Sequence, residues 1–262
     1  MVDIGIEPTP WSRNWDDADE ENEFKDKVWE PPVFAASVDG VSLPLHVKVL
    51  FIGLRGGGSC FLHAYFRRAN LRVVGSIHFP NSVLDSKTIP KPSDKCCTVA
   101  TLGHSDSVAV VFLQYEVDPD RSYAWAHSLL DNVKADRVIV LDTLRESLYQ
   151  SENPDSVRPP FLRALFTDAG ESVCPPLEPP NLVDRVPAAI LSYCQLRKIK
   201  ATLFISIEDR VLLESNTLRA YEQVMASCSS ELPLEITSRL PTEEEYRNVL
   251  AAYKPKSNPL FI

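Results

Sequence analysis

The chain has 262 residues, 44% of them hydrophobic, and a net charge of −9. No apolar run reaches the 18 or so residues of a membrane-spanning helix, and the start, MVDIGIEPTPWSRNWDD, has neither the basic residues nor the apolar core of a secretory signal. Residues 1–30 hold ten acidic against three basic residues, so the other 232 carry only −2; with no basic stripe for phosphate contacts, nucleic acid is excluded as a main partner.

Residues 1–32 are expected to form a disordered acidic arm, because Asp16, Asp17, Asp19, Glu20, Glu21 and Glu23 repel one another and bury nothing. Trp11, Trp15 and Trp29 sit oddly there; docking on the fold and contact with a partner both fit. A first strand is predicted over 33–38 and a strongly apolar one over 47–52. Gly53 and the turn Gly56-Gly57-Gly58 follow, then a helix over 59–69. Strands are predicted over 71–77, 98–102 and 108–115, with a proline-bearing loop over 78–95. Asp118-Pro119 provides an N-cap and a first-turn proline for a helix that turns Trp125, Leu129 and Val133 inward. A short buried strand over 137–141 and a polar excursion over 143–160 complete this half.

The clearest helix-to-strand signal comes next, within 159–207. Pro187 can open a helix because the first turn does not use its N–H. Ile190, Leu191 and Cys194 share one face, and Arg197 and Lys198 suit the negative end of the helix dipole. The apolar run 201–207 is predicted to be a strand covered on both faces. Ser215 then caps a helix with Leu218, Tyr221, Met225 and Cys228 on one side. Thr242 and Glu245 form a capping box ahead of Tyr246, Val249, Leu250 and Tyr253, and Pro255 ends that helix. Alternating strands and helices predict one α/β domain over 33–254: a three-layer, Rossmann-like domain with a largely parallel central sheet. Residues 255–262 remain as a flexible tail.

Chemistry is sparse. A strand, glycines and a helix can hold phosphate, but G-x-x-x-x-G-K-[ST] is absent and Phe61 stands at the third glycine position of the dinucleotide pattern. A close-packed turn and an anion site both remain open. Ser59 with His63 and either Asp106 or Asp142 can be assembled on paper into a hydrolytic triad, without the G-x-S-x-G elbow. A small α/β hydrolase or nucleotide-binding protein using the Gly56–Ser59 turn is therefore the alternative reading. His63, His78, His104 and His127 are too scattered for a metal. The six cysteines, none in C-x-x-C spacing, are expected as buried free thiols. The apolar end Leu260, Phe261, Ile262 either folds back on the domain or serves as a docking peptide.

One block is specific in its wording. PFLRALFT, a Cys-Pro pair and PLEPPNLVDRVPAAILSYCQLRKI with the strand after it resemble the proteasome assembly chaperones of type one, in a plant-like form. The resemblance is strong over about a fifth of the chain and looser elsewhere. It implies a non-enzymatic protein without cofactor, metal or catalytic residues, in the cytoplasm and also the nucleus. It further implies a heterodimer with proteasome assembly chaperone 2 that binds proteasome α subunits and promotes assembly of the α-ring of the 20S core particle. The family ends in a hydrophobic residue, Tyr and any residue, inserted between adjacent α subunits with the terminal carboxylate on a pocket lysine. Leu260 matches the first position and Ile262 the last; Phe261 differs from Tyr by the hydroxyl.

Overall fold

The computed structural model describes residues 30–37, 42–80, 88–103, 105–151, 158–209 and 213–253, without the side chains of 105 and 106. The 1–29 segment with its tryptophans, His104 and Pro255 onward lie outside the described residues.

Eight strands form one sheet: β1 (Val33–Ala36), β2 (Leu45–Gly53), β3 (Leu71–His78), β4 (Cys97–Leu102), β5 (Ser105–Leu113), β6 (Val133–Arg145), β7 (Phe161–Phe166) and β8 (Lys200–Glu208). Their order is β1-β3-β4-β5-β2-β6-β8-β7. β5, β2, β6 and β8 run parallel in the centre. β1, β3 and β4 extend one side antiparallel, and β7 closes the other side antiparallel to β8. The helices are α1 (Gly57–Tyr65), α2 (Ser122–Asn132), α3 (Arg185–Leu196), α4 (Ser215–Arg219), α5 (Glu222–Ser227), α6 (Leu234–Thr237) and α7 (Glu243–Tyr253).

The pleat sorts the central strands onto two cores. Leu50, Ile52, Val138, Val140, Leu203 and Ile205 meet Trp125 and Leu129 of α2 and Ile190, Tyr193 and Cys194 of α3. Val49, Phe51, Ile139, Leu141 and Phe204 point the other way, onto Phe61 of α1, Leu218 of α4, Met225 of α5 and Tyr246 of α7. This is the expected three-layer α/β arrangement, parallel in its centre. The antiparallel wings were not anticipated, because period-two patterns do not report strand direction.

Several boundaries differ from the sequence expectation for identifiable reasons. β6 runs thirteen residues, not five, because it pairs with both β2 and β8; the segment from 143 therefore continues the strand before leaving the sheet. FLRALF, after Pro160, is β7, an edge strand. Asp118 makes no side-chain cap; Pro119–Arg121 form a 3-10 turn whose successor Ser122 donates its hydroxyl to the Asp118 carbonyl at 3.1 Å, and Val133 already belongs to β6. Arg197 and Lys198 follow α3 instead of forming its last turn. Lys198 takes φ 58°, the Ile199 N–H donates to the Cys194 carbonyl at 2.9 Å and the Lys198 N–H to the Gln195 carbonyl at 3.2 Å. That is the C-terminal stop usually built on glycine, here built on lysine. Ser215 is the first helical residue of α4, not its cap. All six cysteines are free; five are buried and Cys174 is half-buried.

Candidate functional site

Leu260, Phe261 and Ile262 lie outside the described residues; what the structure describes is the helix that precedes them. α7 begins with the predicted capping box. The Glu245 carboxylate accepts from the Thr242 N–H at 2.9 Å and the Thr242 hydroxyl at 3.1 Å, and the Glu245 N–H donates back to that hydroxyl at 3.3 Å. Arg68 from the segment after α1 meets Glu245 at 2.7 Å, and Arg219 of α4 meets Glu243 at 2.8 Å. The Tyr246 hydroxyl donates to Glu222 of α5 at 2.9 Å. Tyr246, Val249 and Leu250 are buried against α1 and its neighbours. The helix is thus pinned along one side up to Tyr253.

The Gly56-Gly57-Gly58 turn is close-packed. Gly56 takes φ 112°, which L side chains rarely adopt. A β-carbon on Gly57 would meet the Thr143 methyl at 2.6 Å, and one on Gly58 would overlap the Leu141 carbonyl. The paper triad does not assemble. Among the described residues, the Ser59 hydroxyl and His63 Nε2 are buried with no hydrogen-bond partner. His63 instead stacks on Phe112 at 4.2 Å, and burial pushes its pKa down to about 4, so it is neutral. Asp142 accepts from its neighbour, the Thr143 N–H, at 2.8 Å, and the side chain of Asp106 lies outside the described residues.

Beside this turn, a crevice of about 670 Å³ opens at the carboxyl ends of β2, β5, β6 and β8. The chain leaves β2 toward β5 on one side and later places β6 on the other, the position where open α/β sheets tend to leave a binding crevice. Leu54, Leu113, Leu144, Val186, Leu250 and Tyr253 supply apolar wall; Asp142 and Glu208 supply carboxyls. Burial, with Asp184 nearby, raises Asp142 to about 6. Burial, with Asp142 and Asp209 nearby, raises Glu208 to about 8. Asp142, ionised above about pH 6, puts negative charge beside the glycine turn and disfavours a phosphate there. A second cavity of about 620 Å³ near Tyr65, Ile236 and Leu240 contains the matched Arg68–Glu245 pair. Sequence reasoning named Asp142 only as a paper-triad member and missed Glu208; the available signal was a carboxylate closing the apolar run 201–207.

The family model for proteasome assembly chaperone 4 matches residues 20–258. A Xenopus laevis protein named proteasome assembly chaperone 1 is 30% identical over 213 residues, covering 77% of this chain and 73% of its own. A Nematostella vectensis protein of the same name is 23% identical, over 78% of this chain and 82% of its own. Among solved structures, Pyrococcus furiosus PbaA, an archaeal homolog of proteasome-assembly chaperone, superposes with a TM-score of 0.59 at 9% identity, over 84% of this chain and 87% of its own. Pyrococcus furiosus PbaB, an archaeal proteasome activator, gives 0.57 at 11% identity, over 85% and 95%. At such identities the structural likeness concerns the fold alone.

Proposed function

Because this chain belongs to the proteasome assembly chaperone family, we propose that it is a non-enzymatic chaperone of proteasome core-particle assembly, which pairs with proteasome assembly chaperone 2 and binds proteasome α subunits. The observation that carries this reading is the extent of the family match, residues 20–258, which takes in every described element. Leu260, Phe261 and Ile262 are its docking segment on the α-ring. Its support is the mount: α7 is fixed to α1, α4 and α5 by ion pairs, a tyrosine hydrogen bond and buried side chains, and nine residues follow Tyr253. A segment displayed from a fixed helix presents its apolar side chains to a neighbouring surface while the domain stays unchanged.

The test is co-expression of the tagged full chain with a second assembly chaperone, followed by identification of what co-purifies. The expected result is a one-to-one complex that retains α subunits but not finished core particles. A monomer that ignores both the second chaperone and the α subunits would overturn the reading.

A further inference from the structure

The crevice at the carboxyl ends of the central strands is left unexplained by a docking function placed in the tail. Its most telling group is Glu208, the last residue of β8. The residue is 7% exposed, lines the crevice, and its Oε1 has no hydrogen-bond partner among the described residues. A buried acceptor without a donor is costly, and native structures seldom keep one without a role. Asp142, three residues before the end of the neighbouring β6, lines the same crevice.

The surroundings decide what donor fits. Of the three rim guanidiniums, Arg55 pairs with Glu116 at 3.0 Å, Arg185 lies 3.8 Å from Asp184, and Arg145 is exposed to solvent and leaves Glu208 Oε1 without a donor. Among the described residues no group of three or more His, Cys, Asp or Glu is arranged to hold a metal ion. The walls are apolar, from Leu54, Leu144 and Val186. A ligand with an apolar stem and a terminal group that only donates hydrogen bonds meets all of these conditions, and a primary ammonium is such a group.

We propose that this crevice binds an alkylammonium group, with the ammonium on Glu208 and Asp142 and the alkyl stem along the apolar wall. Glu208 is mostly protonated at neutral pH, since burial and the nearby Asp142 and Asp209 raise it to about 8. Binding therefore proceeds as a carboxylic acid and an ammonium giving a carboxylate–ammonium pair and one released proton. The other titratable groups that feel the Glu208 charge are Cys60 of α1, Tyr221 between α4 and α5, and Tyr253 of α7. Burial raises all three, so at neutral pH they stay protonated and Glu208 is the group that releases the proton.

The experiment is calorimetric titration of the full chain with three probes of similar size, n-pentylamine, pentanol and pentanoate, and with the larger Nα-acetyl-lysine-N-methylamide. Each titration is run at neutral pH in two buffers of different ionisation enthalpy. The amines are expected to bind at least about tenfold more tightly than the alcohol and the acid, with proton release that disappears in Glu208→Gln. Tighter binding of the blocked lysine assigns the source to a protein lysine, and tighter binding of the free amine to a small molecule. Shifts of the Gly57 and Thr143 amide resonances on adding amine to the unmodified chain give a readout that does not depend on the variant folding. Absence of amine binding, equal binding of pentanol, or binding without proton release would overturn the proposal.

Discussion

Gly58 lies so close to the Leu141 carbonyl that a β-carbon at position 58 would overlap it. This approach seats the start of α1 on the middle of β6, and backbone on backbone leaves little that can give way. Gly58→Ala is expected to destabilise the domain by about 1–3 kcal/mol or more, read as a lowered denaturant midpoint. Gly56→Ala acts differently, through its φ of 112°, with an expected cost of about 1–2 kcal/mol. Wild-type stability in both variants would contradict the close-packed turn.

Thr242 and Glu245 exchange three hydrogen bonds at the start of α7. Thr242→Ala removes the hydroxyl that both accepts and donates, and should lower stability by about 0.5–2 kcal/mol; Thr242→Ser should restore most of it. Burial alone would raise the Glu245 carboxyl, but the Thr242 bonds and Arg68 bring it below its ordinary value. A depressed carboxyl stabilises the fold above its unfolded pKa, and that contribution fades as pH falls through the folded value. Thr242→Ala should therefore cost less in acid than at neutral pH, measured by urea unfolding at both.

Glu208 has the opposite sign. Its unfolded pKa is near 4.5 and its folded one about 8, so between these values the unfolded chain gives up a proton that the folded chain keeps. The stability is fully present below 4.5 and is lost as pH rises toward 8. Asp142, raised from 3.8 to about 6, adds to the same trend over a lower window. Glu208→Gln should leave stability near wild type at pH 5 and raise it by a few kcal/mol, as an order of magnitude, at pH 8. Parallel thermal-unfolding curves against pH for the two proteins would show that Glu208 is not held in its acid form.

The parts legible in the sequence are those whose signal is local. The Thr242–Glu245 box is a four-residue pattern, and both its reciprocal bonds are present. The run 201–207 requires cover on both faces, and the helical layers on the two sides of the sheet provide it. Legibility ended where partners are distant. β6 is long because β2 and β8 flank it, and β7 is a strand because β8 lends it an edge; neither fact is carried in 133–145 or 161–166 alone. The crevice was unreadable for the same reason. Glu208 looks like a surface residue ending a strand until α1, α4 and α7 close around it, and only then does its carboxyl become a buried acceptor.

The proposed docking segment yields the last prediction. Nine residues follow Tyr253, and a fully extended chain of that length spans about 30 Å, enough to leave the domain and enter a cleft on a neighbouring subunit. Burying the Phe261 ring would contribute about 1.5–3 kcal/mol, or about 10- to 150-fold in affinity. Phe261→Ala should weaken α-ring binding by that factor, and removal of Leu260, Phe261 and Ile262 by more. Phe261→Tyr should bind as well or better, because it keeps the ring and adds the hydroxyl. None of these changes alters a residue of α7 or of the two cores, so on this reading denaturant midpoints should match wild type. The measurement is a pull-down of α-rings by each variant in the presence of the second chaperone. Undiminished binding by the truncated chain would move the contact to the domain surface or to the partner. Loss of stability alongside loss of binding would instead show that the segment packs on its own domain.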